Sequence, residues 1–240
     1  AYGMAYESYP NFRNDNFRFS QISTSRCFFG KMNFDPSSVC ADPAVRKAIA
    51  LGIDKEGFVN TLLEGNGYTA NGTFPSGSAF GGDKVKTESY NPEAAKQVLQ
   101  DAGWTDSDGD GIREKDGRKL VVKWLTYPSR QELPLLAESA QATLKEVGID
   151  LDINCTADHN EIVKDRTAWD VYAMANVQCP TGDPQYWFTV FALTDAARND
   201  GQYSNPDLDA LGQEMATSYD ADKRAELALK MQQEVLDDNA

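Results

Sequence analysis

An α/β fold, a mixed sheet flanked by helices, is predicted for this chain by three observations. Between residues 120 and 177 strand-like and helix-like segments alternate, and such alternation builds βαβ units on a partly parallel sheet with right-handed crossovers. Three helix starts share one signature, a capping side chain followed by proline, at Asp42-Pro43, Asn91-Pro92 and Asn205-Pro206. Proline suits the first helical position because the N–H it lacks would have no partner there. The composition, 41% hydrophobic and 10% aromatic over 240 residues, is that of a chain able to bury a core.

Taken in order, Phe17 to Phe34 alternates with period two, and Phe17, Phe19 and Ile22, then Cys27, Phe29 and Met32, share a side. That predicts two strands or a hairpin joining the main core. Asp42 and Pro43 start a helix whose inner face carries Val45, Ile49 and Leu51 and which Gly52 ends. Asp54 opens a second helix through Leu63, and Gly65 to Gly82, rich in Gly, Asn, Ser and Thr, reads as a long loop of the functional or mobile kind. Asn91-Pro92 opens a helix that turns Ala94, Ala95, Val98, Leu99 and Ala102 to one face and stops at Gly103. Leu120 to Tyr127, Ile149 to Cys155 and Asp170 to Val177 are strands, separated by a helix over Leu133 to Val147 and a short one over His159 to Arg166. The last third is helical, from Asn205-Pro206 to Tyr219 and from Ala221 to Asp237, the latter with Ala225, Leu229, Gln232 and Leu236 at helical spacing.

A formal charge of −14 argues against phosphate-backbone partners, which need clustered Lys and Arg, so no nucleic acid is expected. No window approaches the roughly 18 apolar residues that span a bilayer, and Ala1 to Glu7 lacks the basic and apolar regions of a signal peptide, so the chain as written is expected to be soluble. Cys27, Cys40, Cys155 and Cys179 contain no C-x-x-C pair, so zinc-ribbon and thiol-redox readings are weak. His159, the single histidine, lies in the polar run Asp158-His159-Asn160-Glu161 and reads as a solvated residue at a helix start. Nucleophilic triads and zinc hydrolases need more than this, so neither catalysis nor a cofactor is expected. Asp106, Asp108, Asp110 and Gly111 match the first half of an EF-hand loop. Gly117 stands where its bidentate Glu belongs, which leaves a structural turn as the main reading and a weak calcium site as the alternative. Gly182-Asp183-Pro184-Gln185-Tyr186-Trp187-Phe188 follows the last strand, where open α/β sheets place ligands; there Asp183 can cap the helix while Trp187 or Phe188 packs inward.

Several motifs, each weak alone, recur in one order: Asp42 to Asp54, Tyr90-Asn91-Pro92-Glu93-Ala94-Ala95-Lys96, Ala102-Gly103-Trp104, Asp106 to Gly117, Ala137-Glu138 with Gln141, Val147-Gly148-Ile149, and Gly182-Asp183-Pro184. Together they resemble the carboxy-terminal lobe of the peptide, nickel and opine solute-binding proteins of ABC importers, extracellular solute-binding protein family 5, from about Phe28 to Leu236. The resemblance implies the second lobe of a two-lobed periplasmic-binding-protein-like fold, with residues 1–240 forming one excised lobe whose partner lobe and hinge return are missing. It implies a monomer without cofactor, outside the cytoplasm and lipid-anchored, that captures an oligopeptide or a nickel–metallophore complex for an ABC permease. The alternatives are an extracellular calcium-dependent enzyme or a sensory receptor subunit.

The ligand-binding residues implied are Arg130, Tyr127, Thr181, Gly182, Asp183, Tyr186 and Trp187, joined by part of the Gly65 to Gly82 loop. Dipeptide-binding relatives carry an extra acidic residue before Gly-Asp-Pro, whereas Gln178-Cys179-Pro180-Thr181 has none. With Tyr127-Pro128-Ser129-Arg130 looking like the metallophore branch, the leaning is towards a chelate whose carboxylates an arginine can pair. An exported protein can keep disulfides, so Cys27–Cys40 with Cys155–Cys179, or four buried thiols, stand as alternatives.

Overall fold

The computed structural model describes residues 6–14, 16–18, 20, 22 and 24–240. Four strands form one sheet in the order β1 (Arg26–Met32), β6 (Val171–Val177), β4 (Val121–Thr126), β5 (Asp150–Cys155). β4 runs parallel to both β5 and β6, and β1 closes one edge antiparallel to β6. Two-residue strands β2 (Glu114–Lys115) and β3 (Arg118–Lys119) form a separate hairpin. The expected βαβ arrangement is therefore present, with α4 (Glu132–Lys145) crossing from β4 to β5 and packing on β4, β5 and β6.

The alternation expected over Phe17 to Phe34 yields one strand rather than a hairpin. Only Arg26–Met32 pairs, in a register that puts Phe29 opposite Met174 and Lys31 opposite Tyr172. Among the described residues before it none is in a strand, Phe17 and Ile22 are exposed, and Phe19 lies outside the described residues. Period two marks a segment able to pleat, but a strand also needs a partner edge, and β6 offers one edge to one segment.

The capping signatures act as their chemistry dictates. Asp42 accepts from the Ala44 N–H at the start of α1 (Pro43–Gly52), Asn91 from that of Ala94 at α3 (Pro92–Asp101), and Asn205 from those of Asp207 and Leu208 at α7 (Pro206–Thr217). α2 (Lys55–Gly57) opens on Asp54 and continues as a π-turn over Phe58–Leu62. The helix expected over His159 to Arg166 is shorter, α5 (His159–Ile162). α6 (Gln185–Trp187) passes into a π-turn, Phe188–Ala192. In α8 (Ala221–Asp237) the buried face runs through Ala225, Ala228, Gln232 and Val235, with Leu227 and Met231 beside it, so Leu229 and Leu236 lie at its margin rather than its centre.

Both faces of the sheet are covered. Phe29, Lys31 and Tyr172 share a face, where Phe29 meets Trp187 and Phe191 edge-on and Tyr172 meets Trp169. Lys31 is nearly buried there, its ammonium 5.1 Å from the Tyr172 ring centre and paired with Asp200. Burial pulls its pKa down, and the Asp200 carboxylate opposes that pull. One hydrophobic cluster joins the sheet, α1, α3, α4 and the α7–α8 pair. No helix among the described residues is long and apolar enough to cross a membrane.

The cysteines do not pair. All four are free thiols, with Cys40 buried, Cys27 and Cys179 half-buried and Cys155 exposed, which excludes in this structure both the Cys27–Cys40 and Cys155–Cys179 pairing and the alternative of four buried thiols. Cys27 sits opposite Asn176, while Cys40 lies beside Ser38, which bonds Asp170. Six residues of strand, about 20 Å, separate those levels, far beyond the reach of a disulfide. Cys155 pairs in register with Thr126 at one side of the sheet, and Cys179 lies beyond the end of β6, two strands away.

Candidate functional site

The parallel strands β4, β5 and β6 all end at one edge of the sheet, and the turn that leaves β6 there forms one wall of a groove of about 690 Å³. Thr181, Gly182, Asp183 and Gln185 line that wall; Phe80 and the α7–α8 connection around Ser218, Tyr219 and Arg224 form the others. Gly182 has φ +79°, a left-handed conformation that suits glycine, and its N–H closes a turn on the Cys179 carbonyl. Asp183 then accepts from the Gln185 N–H at 2.8 Å, which sets the entry to α6.

Arg224 fixes the groove's width. Its Nη2 donates to both Asp183 oxygens at 2.7 Å and to Gln185 Oε1 at 3.0 Å, while Nη1 donates to the Met215 and Ser218 carbonyls at 2.8 and 2.9 Å. One guanidinium thus ties the β6 turn to the end of α7 and the start of α8. Planar, forked donors make this possible, and an ammonium does not reproduce it. The third wall is anchored by Gln232, fully buried, which donates to the Phe80 carbonyl at 2.8 Å and accepts from the Thr73 N–H at 3.1 Å. The long loop over residues 65–82 is thereby held against α8, and Phe80 stacks edge-on with Phe74.

The predicted site residues divide. Thr181, Gly182 and Asp183 come together in the groove, although Asp183 is committed to Arg224 and to its own helix start. Tyr186 is next to the groove, exposed and not part of its lining. Trp187 is 7% exposed and packs against Phe29, Phe188 and Phe191, with its indole N–H unpartnered among the described residues. Arg130 is exposed ahead of α4 and lies outside the groove. Tyr127 is buried, its hydroxyl accepting from the Ala175 N–H at 3.1 Å, so the expected Tyr127 to Arg130 wall does not line the groove.

Tyr127 belongs instead to a second cluster. The His159 ring stacks on it at 4.1 Å between centres, and His159 Nδ1 lies 2.5 Å from the Tyr172 hydroxyl. His159 is therefore not the freely solvated residue that its polar neighbours suggested. Burial, with the Arg198 charge nearby, lowers its pKa, and burial followed by the neighbouring Tyr127 pushes Tyr172 up to about 12.

The acidic turn is built from its own side chains. Asp106 accepts from the Gly109 and Gly111 N–H groups, and Lys119 pairs with Asp108 and Asp110. Carboxylate oxygens of Asp106, Asp108 and Glu114 lie within 4.8 Å of one another, so the group able to approach one cation includes Glu114 in place of Asp110. Glu114 is also engaged by Ser107. The lysine ammonium already supplies positive charge to this turn.

Sequence reasoning missed Arg224 and Tyr219, whereas Phe80 falls in the Gly65 to Gly82 loop that was expected to contribute part of the site. Asp220 accepts from the Lys223 N–H at the start of α8, but nothing local links Arg224 to a carboxylate 41 residues away.

Comparison with known proteins gives a consistent answer. Residues 4–199 match the family described as bacterial extracellular solute-binding proteins, family 5 Middle. The nickel-binding protein NikA of Staphylococcus aureus is 29% identical over 187 residues, covering 75% of this chain and 35% of that protein. The oligopeptide-binding protein OppA of Mycobacterium tuberculosis is 31% identical over 205 residues, 82% of this chain and 34% of that protein. The crystal structure of a nickel ABC transporter protein from Bacillus halodurans superposes with a TM-score of 0.84 at 27% identity, over 97% of this chain and 48% of that one. The chain thus spans about a third of the curated relatives and about half of the solved one.

Proposed function

The chain belongs to the bacterial extracellular solute-binding proteins of family 5, and we propose that it is the carboxy-terminal lobe of a protein that captures an oligopeptide or a chelated nickel ion outside the membrane and passes it to an ABC permease. The observation that carries this reading is the groove at the strand-end edge, of the volume that small ligands occupy. Its charges cancel internally through Arg224 and Asp183, and the rest of its lining mixes hydroxyl, amide and backbone groups with aromatic rings and the small apolar surfaces of alanines and Pro184. Such a surface holds an organic ligand by shape and hydrogen bonds. It presents no imidazole or thiol, and its single carboxylate is engaged, so nickel would arrive with its own chelating groups. The relatives named for nickel and for oligopeptides support the two ligand classes equally.

In this reading the protein is not an enzyme, acts as a monomer tethered by lipid, and traps its solute when a second lobe closes over the groove. One lobe desolvates one face of a ligand, so binding to this chain alone is weak. The test is calorimetry of the chain with a peptide library and with nickel plus L-histidine, repeated on Thr181→Trp, which fills the groove from an exposed position. Heat from either ligand class, lost in the variant, is expected. Absence of binding by every probe, or binding indifferent to Thr181→Trp, would overturn the assignment of the groove.

A further inference from the structure

Tyr219 is 93% exposed, the most exposed of the large hydrophobic side chains described, yet it lines the groove. Its backbone is fixed from both sides. The Ser218 carbonyl accepts from Arg224 at 2.9 Å and the Ser218 hydroxyl donates to the Glu214 carbonyl at 2.8 Å, while Asp220 caps α8 through the Lys223 N–H at 2.8 Å. The ring therefore stands on an immobilised connection without any packing of its own. A tyrosine held this way loses little further freedom on contact, since only its two side-chain torsions remain to be ordered. Phe80 and Pro184 add apolar groups to the same lining, and the one ion pair in it is satisfied internally.

We propose that Tyr219 is a ligand-contacting residue and that the solute presents a planar ring to it, an aromatic side chain of a peptide or the imidazole of a histidine chelate. This rests on the reading of the groove as the solute site, and it adds the α7–α8 connection as a specificity wall. Aromatic rings prefer offset or edge-on partners, and such pairs contribute beyond the area they bury. The selectivity expected is therefore for a ring over a methyl group at one ligand position, with tolerance of which ring it is.

The experiment is calorimetry of the 240-residue chain with Ala-Phe-Ala, Ala-Ala-Ala and nickel plus L-histidine, for the wild type, Tyr219→Ala and Tyr219→Phe. Because the side chain has no packing to lose, both variants are expected to fold as the wild type does, which circular dichroism checks. Ala-Phe-Ala should bind roughly threefold to tenfold more tightly than Ala-Ala-Ala. That ratio should fall to about one in Tyr219→Ala and persist in Tyr219→Phe, and nickel–histidine binding should weaken in the alanine variant alone. A ring preference unchanged in Tyr219→Ala, or no preference in a wild type that binds both peptides, overturns the role of Tyr219 and leaves the groove as a solute site. If no probe binds the wild type, the groove assignment itself fails and this inference with it.

Discussion

One guanidinium, that of Arg224, donates to two carbonyls at the end of α7 and to Asp183 and Gln185 in the β6 turn. Arg224→Ala would leave Asp183 without its cationic partner, though Asp183 is 44% exposed and water compensates part of that loss. Hydrogen bonds to charged groups contribute about 1.5–3 kcal/mol, so a loss of about 2 kcal/mol in urea denaturation is expected, with faster amide exchange at Gln185. A shift within error would show that the turn holds without its latch. His159 gives a pH prediction. Its folded pKa is lowered by burial and then by Arg198, so the unfolded chain takes up a proton near pH 6.5 while the folded chain does so only at lower pH. Where the unfolded state binds more protons, stability rises with pH. His159 therefore contributes fully above about pH 6.5, and its contribution is lost as pH falls towards the lower folded value. Urea midpoints between about pH 7 and about pH 5 should fall more steeply for the wild type than for His159→Asn. Parallel profiles would contradict the half-buried, stacked position of the ring.

At the scale of elements, what the sequence made legible was local. The Asp42, Asn91 and Asn205 caps, and the bounds of α8, follow from bonds between residues two or three apart, which a short motif contains entirely. The hairpin expected before Met32 failed because pairing is not local: Phe17 and Ile22 alternate like strand residues without an edge to join. The groove was half legible for the same reason. Gly182 and Asp183 announce a strand-end turn, whereas its latch and its opposite wall come from Arg224 and Tyr219, which the turn's own residues cannot reveal. β1 shows how distant segments fix an element. Phe34 N–H donates to the Gly201 carbonyl at 2.7 Å, and a Cβ on Gly201 would stand 2.1 Å from the Met32 carbonyl oxygen. Because that neighbour is backbone, it cannot yield by changing rotamer. Gly201→Ala should thus push the 199–203 loop off the end of β1 and destabilise by about 1–3 kcal/mol. Wild-type stability in that variant would mean that the loop is held elsewhere.

For the whole molecule the governing quantity is charge, 37 acidic residues against 23 basic ones. Ion pairs such as Lys96–Glu93, Lys164–Glu161 and Lys230–Glu226 are exposed neighbours on one helix or turn, and pairs of that kind contribute about 0–1 kcal/mol each. Salt weakens them, but it also screens repulsion among the surplus carboxylates, which folding brings closer together. The two effects have opposite signs, and the surplus decides between them: the pairs are few and short-range, whereas the net charge of −14 acts across the whole surface at low ionic strength. The screening length falls from about 30 Å at 0.01 M to about 8 Å at 0.15 M, from roughly the span of the molecule to the distance between neighbouring side chains. Raising sodium chloride over that interval at neutral pH should therefore raise the urea midpoint of the chain. A midpoint that falls would mean that the local pairs, led by the partly buried Lys31–Asp200 bridge beside Tyr172, outweigh the field of the excess acid. Measuring the same interval in Lys31→Met separates the two contributions, since removing that bridge leaves the surface surplus in place and should keep the upward slope.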